Sequence, residues 1–176
     1  MCLGLGCLAM VMPSRGTDTN AAAGRVGVYD SRVVAYAWFW SDAQQAQLKE
    51  QMATARAAKQ AGDEAKLKKY SAALSAKQDQ MHREVFSTAP AEEAMAAIKG
   101  RIPEIKKAAG VTDLVSKWDQ LALNNSHGAE TVDVTDILVR ALLHPTEQQM
   151  KMMESIKKSQ PLSLEKCNEL IRKGQI

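Results

Sequence analysis

The spacing of apolar residues changes several times along the chain and predicts three short strands. Residues 25–30 alternate in polarity and are rich in β-branched and aromatic side chains, the pattern of a half-buried strand. Residues 112–118 and 131–135 repeat this pattern. Residues 33–40 are apolar on all sides, which indicates one or two buried helical turns with Asp30 or Ser31 as the cap.

A long region between the first two predicted strands is rich in Ala, Gln, Lys and Glu, which favour helices. It is interrupted near Gly62, which can end one helix, and Asp63, which can cap the next. Larger apolar residues recur at helical spacing along both arms: Leu48, Met52, Leu67, Tyr70, Leu74 and Met81. We predict an antiparallel helical hairpin with arms of roughly 30 Å. A further helix is expected over residues 91–109, with Pro103 kinking or dividing it.

The predicted order of elements indicates an α+β fold that is mostly α. It comprises a small antiparallel or mixed β body, a long inserted helical hairpin projecting like a tentacle, and C-terminal helices. One domain is expected over residues 25–144. Within it, residues 25–40 and 110–144 would form the β body, and residues 41–109 the hairpin and the helix after it. Residues 145–176 would form a C-terminal helical tail.

The predicted sheet is small, and this bears on assembly. Three short strands leave exposed edges, and such a sheet is more stable when a neighbouring chain extends or closes it. The thin, alanine-rich arms bury little by themselves. We therefore expect a homo-oligomer.

The N-terminal segment, residues 1–24, differs in composition from the rest. Residues 1–12 are uncharged and apolar but too short to span a bilayer, which needs about 20 residues. The three alanines at 21–23 match the cleavage site of an export signal. We expect an exported protein of the periplasm or cell envelope. The alternatives are a disordered leader and membrane anchoring by acylation of Cys7.

The composition excludes several classes of protein. The 176 residues suit one domain, and 45% hydrophobic with 24% charged residues is ordinary globular usage, which argues against full disorder. A net charge of +3 is too weak for a typical nucleic-acid-binding domain, so no nucleic-acid partner is expected. Five of the eight aromatic residues fall between Tyr29 and Trp40. The aromatic cluster at residues 36–40 is expected to form body core, and the alternative is a surface that stacks on bases or sugars.

The chain lacks a recognisable catalytic motif. Cys167 is the one cysteine after the leader, and no cysteine and histidine have the spacing of metal ligands. His82 and Glu84 have the His-x-Glu spacing of zinc deaminases, but the Pro-Cys-x-x-Cys that must follow is missing. We expect no enzyme, no cofactor and no metal site.

The region 110–144 is acidic and leaves one alternative open. Its carboxylates could bind a divalent cation or serve an inter-subunit active site, for which Asp119 and Asp133 are the candidates. The interpretation we favour is that they cap helices and protect strand edges: Asp113, Asp119, Asp133 and Asp136.

The order and spacing of these elements resemble the Skp/OmpH family of periplasmic chaperones. The resemblance rests on residues 26–31 at the opening, and on residues 115–119 and 132–138 at the close. It implies a trimer whose β body carries projecting hairpins around a cavity, in which unfolded outer-membrane or envelope polypeptides are held without ATP. Here the hairpin is shorter, residues 86–90 break its return arm, and the arms are barely basic.

Taken with the resemblance, the sequence predicts an exported, ATP-independent holdase. The candidate client contacts are the six apolar residues of the hairpin: Leu48, Met52, Leu67, Tyr70, Leu74 and Met81. Weak contacts at many points would retain an unfolded client. The alternative is a structural or scaffolding oligomer of the cell envelope without chaperone activity.

Overall fold

The computed structural model describes residues 24–126 and 128–176. Residues 1–23 of the predicted export leader, including Cys7, and the loop position His127 lie outside the described residues. The strands are β1 (Val26–Tyr29), β2 (Asp113–Ser116) and β3 (Thr131–Asp133). The first helices are α1 (Ser31–Phe39), α2 (Asp42–Ala61), α3 (Glu64–Phe86), α4 (Glu92–Ala97) and α5 (Ile102–Ala109), with a 3-10 turn at Lys99–Arg101. The remaining helices are α6 (Gln120–Asn125), α7 (Thr135–Leu142), α8 (Glu147–Lys158) and α9 (Leu164–Arg172).

The fold is α+β and mostly α, as predicted, but its three-stranded sheet is entirely parallel. The strand order is β2-β1-β3, with β1 paired in parallel to both neighbours. The predicted antiparallel or mixed pairing is wrong. Parallel neighbours need a long crossover connection, and α1–α5 supply one between β1 and β2, while α6 lies between β2 and β3.

The two faces of this sheet are covered unequally. Side chains alternate between the faces along each strand. Those packed against the core are Tyr29, Leu114 and Val132. The opposite face carries one buried valine, two half-buried valines and three exposed polar side chains: Val26, Val28, Val115, Asp113, Thr131 and Asp133. Parallel sheets are normally covered on both faces, so this open face is an unusual feature of the isolated chain.

Local caps start and stop several helices as the sequence predicts. The Asp30 carboxylate accepts from the backbone N–H of Arg32 at the start of α1, and Asp63 does the same for α3. Gly62 ends α2 with φ 69°, a left-handed conformation that glycine adopts without a steric penalty. Thr135 does not cap α7, because its hydroxyl accepts instead from the backbone N–H of Asp30.

The core forms around α1, which packs against α3, α4, α7 and α8. Val33, Val34 and Leu138 are fully buried there. The segment 145–176 contributes to the same body: Met153 and Ile156 of α8 are core residues. The α9 helix packs on α3.

The long helices α2 and α3 contact one another and differ in how firmly they join the body. The last turns of α3 are packed against α1 and α9, and Val85 is buried in the core. Ala55 and Ala58 of α2 are also buried, and the helix that α2 mainly packs against is α3. Almost all residues near the turn at Gly62 are exposed.

Candidate functional site

An open apolar groove lies where α1 ends and α2 and α3 run side by side. Its volume is about 370 Å³. Its apolar lining consists of Phe39, Trp40, Leu48, Met52, Leu74 and Met81, and we call this feature the apolar groove. Trp40 and Met52 keep 45% and 41% of their surface exposed, so a bound molecule would cover large side chains that now face solvent.

The apolar groove contains four of the six predicted client-contact residues. The structure brings Leu48 and Met52 of α2 together with Leu74 and Met81 of α3. The other two, Leu67 and Tyr70, do not line it; they are half-buried and lie closer along α3 to the turn at Gly62. The helical spacing of these six residues therefore coincides with the groove at four positions.

The sequence interpretation missed two aromatic side chains of the groove. The aromatic residues up to Trp40 were expected to form body core, and Phe39 is indeed buried in the core. Trp40 is not, because it follows the last turn of α1 and faces the groove, with its ring 6.2 Å from that of Tyr36. The capping serine Ser41 immediately after it was the available signal, since residues at helix ends often leave the core-facing stripe.

The polar lining of the groove is dominated by amides. Among the described residues that line it are the three glutamines Gln44, Gln45 and Gln78, one ammonium group from Lys77, and no carboxylate. The Gln45 Nε2 donates to the carbonyl of Phe39 at 2.7 Å, which ties the start of α2 to the end of α1. The Lys77 Nζ lies 5.4 Å from the centre of the Phe39 ring, a cation–π contact.

A second, more polar cavity shares part of this lining. It has a volume of about 340 Å³ and is lined by Gln44, Gln47, Gln51, Lys77, Gln80 and Glu93, with Leu48 and two alanines of α3; we call it the polar crevice. The Glu93 carboxylate is held there by an ion pair with Lys77 and by the indole N–H of Trp38 at 3.1 Å. This ties α4 to α3 and to α1.

Glu84 is a buried carboxyl behind the polar crevice. Its Oε1 accepts from Gln80 Nε2 at 2.9 Å, while its Oε2 has no partner among the described residues. Burial raises the pKa of Glu84, and the nearby carboxylate of Glu93 adds to this, against the opposing effects of the Gln80 hydrogen bond and the charge of Lys77.

A charged network lies at the carboxyl edge of the parallel sheet, the edge at which open parallel sheets commonly bind ligands. The Asp30 carboxylate accepts from Arg32 on both oxygens and forms an ion pair with Lys117 at 2.6 Å. The indole N–H of Trp118 donates to the same carboxylate at 3.2 Å, and the Arg32 guanidinium lies 4.8 Å from the Trp118 ring centre. Arg32 also donates to the backbone carbonyl of Ser159 at 3.0 Å.

The Asp30 carboxylate of this network is fully engaged, since it faces two cations, Arg32 and Lys117. Burial alone would raise the pKa of Asp30, but hydrogen bonds and charge from Arg32 and Lys117 outweigh it and hold that pKa below its ordinary value. A cavity of about 350 Å³ opens beside it, and its other cation, Lys157, is paired with Asp136 and Glu154. We interpret this edge as a structural junction of β1, β2 and the C-terminal segment.

The acidic residues of the region 110–144 have separate local partners rather than a common centre. Asp119 caps α6 by accepting from Ala122 N at 3.0 Å, and Asp133 accepts from Thr135 N at 2.8 Å. Asp113 pairs with Lys106, and Asp136 pairs with Lys157. Among residues 24–126 and 128–176, no group of three or more His, Cys, Asp or Glu side chains is arranged to hold a metal ion.

Two further features concern the chain as a whole. Cys167 is fully buried in α9, and burial raises the pKa of its thiol. Within the described part of the chain, every helix is either too short or too polar to cross a lipid bilayer.

Comparisons with known proteins were made at three levels. Models of protein families, curated proteins and solved structures give no match to this chain. The residues of the groove, and the chemistry they offer, are therefore the basis for a functional proposal.

Proposed function

We propose that the protein is an ATP-independent holdase-type chaperone that binds apolar segments of unfolded envelope polypeptides in its apolar groove. The observation that carries this proposal is the convergence of Leu48, Met52, Leu74 and Met81 with the exposed ring of Trp40 in one open groove. Methionine side chains are flexible and polarizable, and they suit a surface that accepts many sequences.

The proposal includes an architecture like that of the Skp/OmpH family. In it, α2 and α3 form a helical hairpin that projects from the body beyond the groove and carries Leu67 and Tyr70 as outlying contacts. The long exposed stretch on both sides of Gly62 supports a projecting end. The packing of the last turns of α3 on α1 and α9 supports a firmly held base.

The proposed assembly is a homotrimer formed through the β body. The open face of the parallel sheet supports this, since Val28 and Val115 stay half-buried in the isolated chain and a parallel sheet is normally covered on both sides. Three copies would surround a shared cavity and present three grooves to one client. Multivalency would then supply retention that a single groove of this size cannot. We place the assembly in the periplasm or cell envelope, after export.

The direct test is suppression of aggregation. A denatured outer-membrane β-barrel protein is diluted into buffer with and without the purified protein, in the absence of nucleotide, and light scattering is followed. We expect suppression at a small molar excess of the protein, because each groove shields an apolar segment. Unchanged scattering at large excess would reject the holdase. An intact oligomer in that case would favour the scaffolding alternative.

A further inference from the structure

Three methionines are largely exposed in the described part of the chain, and one of them lines the apolar groove. Met52 on α2 keeps 41% of its surface exposed, and Met150 and Met152 on α8 keep 48% and 49%. The backbone of a helical residue is largely covered by its own turns, so this exposure belongs mainly to the side chains. Of these three residues, only Met52 lines the apolar groove.

The remaining methionines of the described residues are sheltered. Met153 is buried in the core, and Met81 and Met95 are half-buried and pack against it. An oxidant in solution must reach the sulfur atom, so exposed methionines react before sheltered ones. In the apolar groove, where Met81 is the second methionine, the reactive thioether is therefore that of Met52.

Oxidation of Met52 would change the polarity of the groove wall. Methionine sulfoxide carries a polar oxygen in place of an apolar sulfur surface. In the unliganded groove that oxygen stays hydrated, because the side chain is open to solvent. An apolar client segment would cover the oxygen and remove its water, and a polar group that is buried without a hydrogen-bond partner costs free energy. Oxidation should therefore weaken client binding and leave the fold intact.

We propose that Met52 is a modification site at which hydrogen peroxide switches the apolar groove from a client-binding to a client-releasing form. This inference rests on the proposed function and specifies its regulation. The Met52 sulfur forms a bond to one peroxide oxygen while the O–O bond breaks. The sulfur is oxidised by two electrons to the sulfoxide, and the second oxygen takes up the proton of the transferred one and leaves as water. Sulfoxide reductases reverse the change. A holdase that uses no ATP gains a release step in this way.

The first measurement locates the oxidation. The full-length protein is treated with dilute hydrogen peroxide, and peptide mapping by mass spectrometry follows the addition of oxygen at each methionine. We expect the three exposed methionines to react before the three sheltered ones. A Met52 side chain that stays unmodified while Met150 is fully oxidised would reject the proposed site.

The second measurement compares affinities. A fluorophore-labelled, unstructured, leucine-containing peptide is titrated with the protein before and after peroxide treatment, and fluorescence anisotropy is followed. We expect binding to weaken about fivefold on oxidation and to recover after treatment with reductases for both sulfoxide epimers. The midpoint of thermal unfolding, followed by circular dichroism, should stay unchanged. A drop in this midpoint large enough to explain the lost binding would overturn the switch.

Two variants assign the effect to one sulfur atom. Met52→Leu keeps the apolar volume and lacks the thioether, so it should bind like the untreated wild type both before and after peroxide treatment. The control Met150→Leu removes an equally exposed methionine outside the groove, so it should show the same fivefold loss as the wild type. A loss of affinity in peroxide-treated Met52→Leu would reject Met52 as the switch.

The outcomes distinguish failure of this inference from failure of the proposed function. If the untreated protein binds the peptide and complete oxidation of Met52 leaves its affinity unchanged, the switch is wrong and the holdase proposal stands. If the untreated protein binds no peptide and does not suppress aggregation, the holdase proposal is wrong and the switch is overturned with it.

Discussion

The carboxylate of Asp30 and the guanidinium of Arg32 form a two-point ion pair inside the protein. Arg32 Nε lies 3.2 Å from Asp30 Oδ1, and Arg32 Nη2 lies 3.0 Å from Asp30 Oδ2. The side chains of Arg32 and Asp30 are almost fully buried, with 1% and 3% of their respective surfaces exposed. The pair joins the end of β1 to the start of α1 and, through the carbonyl of Ser159, to the C-terminal segment.

Removing one partner of this pair is expected to destabilise the fold strongly. Asp30→Ala leaves the Arg32 guanidinium buried without a counter-charge, and we expect a loss of about 3–5 kcal/mol in the free energy of unfolding, measured by urea denaturation. The exposed pair of Lys151 and Glu147 is the matched control. Glu147→Ala should cost less than about 1 kcal/mol.

A double variant tests whether the pairing itself is responsible for that loss. Asp30→Leu combined with Arg32→Met removes both charges from the interior, so it should recover much of the stability lost in Asp30→Ala. A double variant as unstable as the single one would show that the other contacts of Asp30 dominate: its helix cap, Lys117 and Trp118.

Asp30 and Glu84 should give the stability opposite dependences on pH. The pKa of Asp30 is lowered on folding, so its contribution is full above the unfolded pKa and is lost as the pH falls through the folded pKa. The pKa of Glu84 is raised, so its contribution is full below the unfolded pKa and is lost as the pH rises through the folded pKa.

The substitution Glu84→Gln isolates the pH dependence of stability that Glu84 contributes. Glutamine resembles the protonated carboxyl. The free energy of unfolding of the variant should therefore equal that of the wild type at about pH 4 and exceed it at about pH 7. Urea titrations across this range measure the difference. A constant difference between the two proteins at all pH values would contradict the prediction.

A side chain at Gly27 should crowd the core, because the fully buried Val134 lies directly against this position. A Cβ at this position would lie 2.9 Å from Leu114 Cδ2 and 3.1 Å from Val134 Cγ1. We expect Gly27→Ala to destabilise the protein by about 1–3 kcal/mol through overpacking. A Cβ at Gly100 would meet no atom within 4 Å. The control Gly100→Ala should therefore leave the midpoint of thermal unfolding nearly unchanged.

The groove should lose peptide affinity when its exposed apolar side chains are shortened. Trp40→Ser should weaken binding of a fluorophore-labelled, unstructured, leucine-containing peptide about tenfold, as expected for a large aromatic contact. Met52→Ser should have a smaller effect in the same direction. Met150 is similarly exposed but lies on α8, so Met150→Ser should bind like wild type. Equal losses in all three variants would indicate non-specific apolar binding.

The open face of the sheet should be the surface through which the chains associate. Val115→Lys puts a charge on that face, and we expect it to lower the solution mass, measured by light scattering, from that of an oligomer to that of a single chain. Leu164 is exposed on α9, away from the sheet, and Leu164→Lys should leave the mass unchanged. A wild-type mass near 19.2 kDa, that of one chain, would refute the proposed trimer.

Local signals in the sequence were sufficient for much of the secondary structure. The alternating stretches correspond to β1, β2 and β3, and the capping residues Asp30 and Asp63 begin the helices that they were expected to begin. These features depend on neighbours within a few residues. The helical spacing of Leu48, Met52, Leu74 and Met81 likewise indicated one shared face, which became part of the groove.

Strand direction, the groove aromatics and the buried polar groups depended on contacts between distant parts of the chain. The alternation of β1 is the same for a parallel and an antiparallel partner, so only the packed helices between the strands decide the direction. Gln44 and Glu84 look like ordinary helix-surface residues in the sequence. Gln44 is buried where α2 packs against α3, and Glu84 is buried where α3 packs into the body, and no local pattern reports that packing.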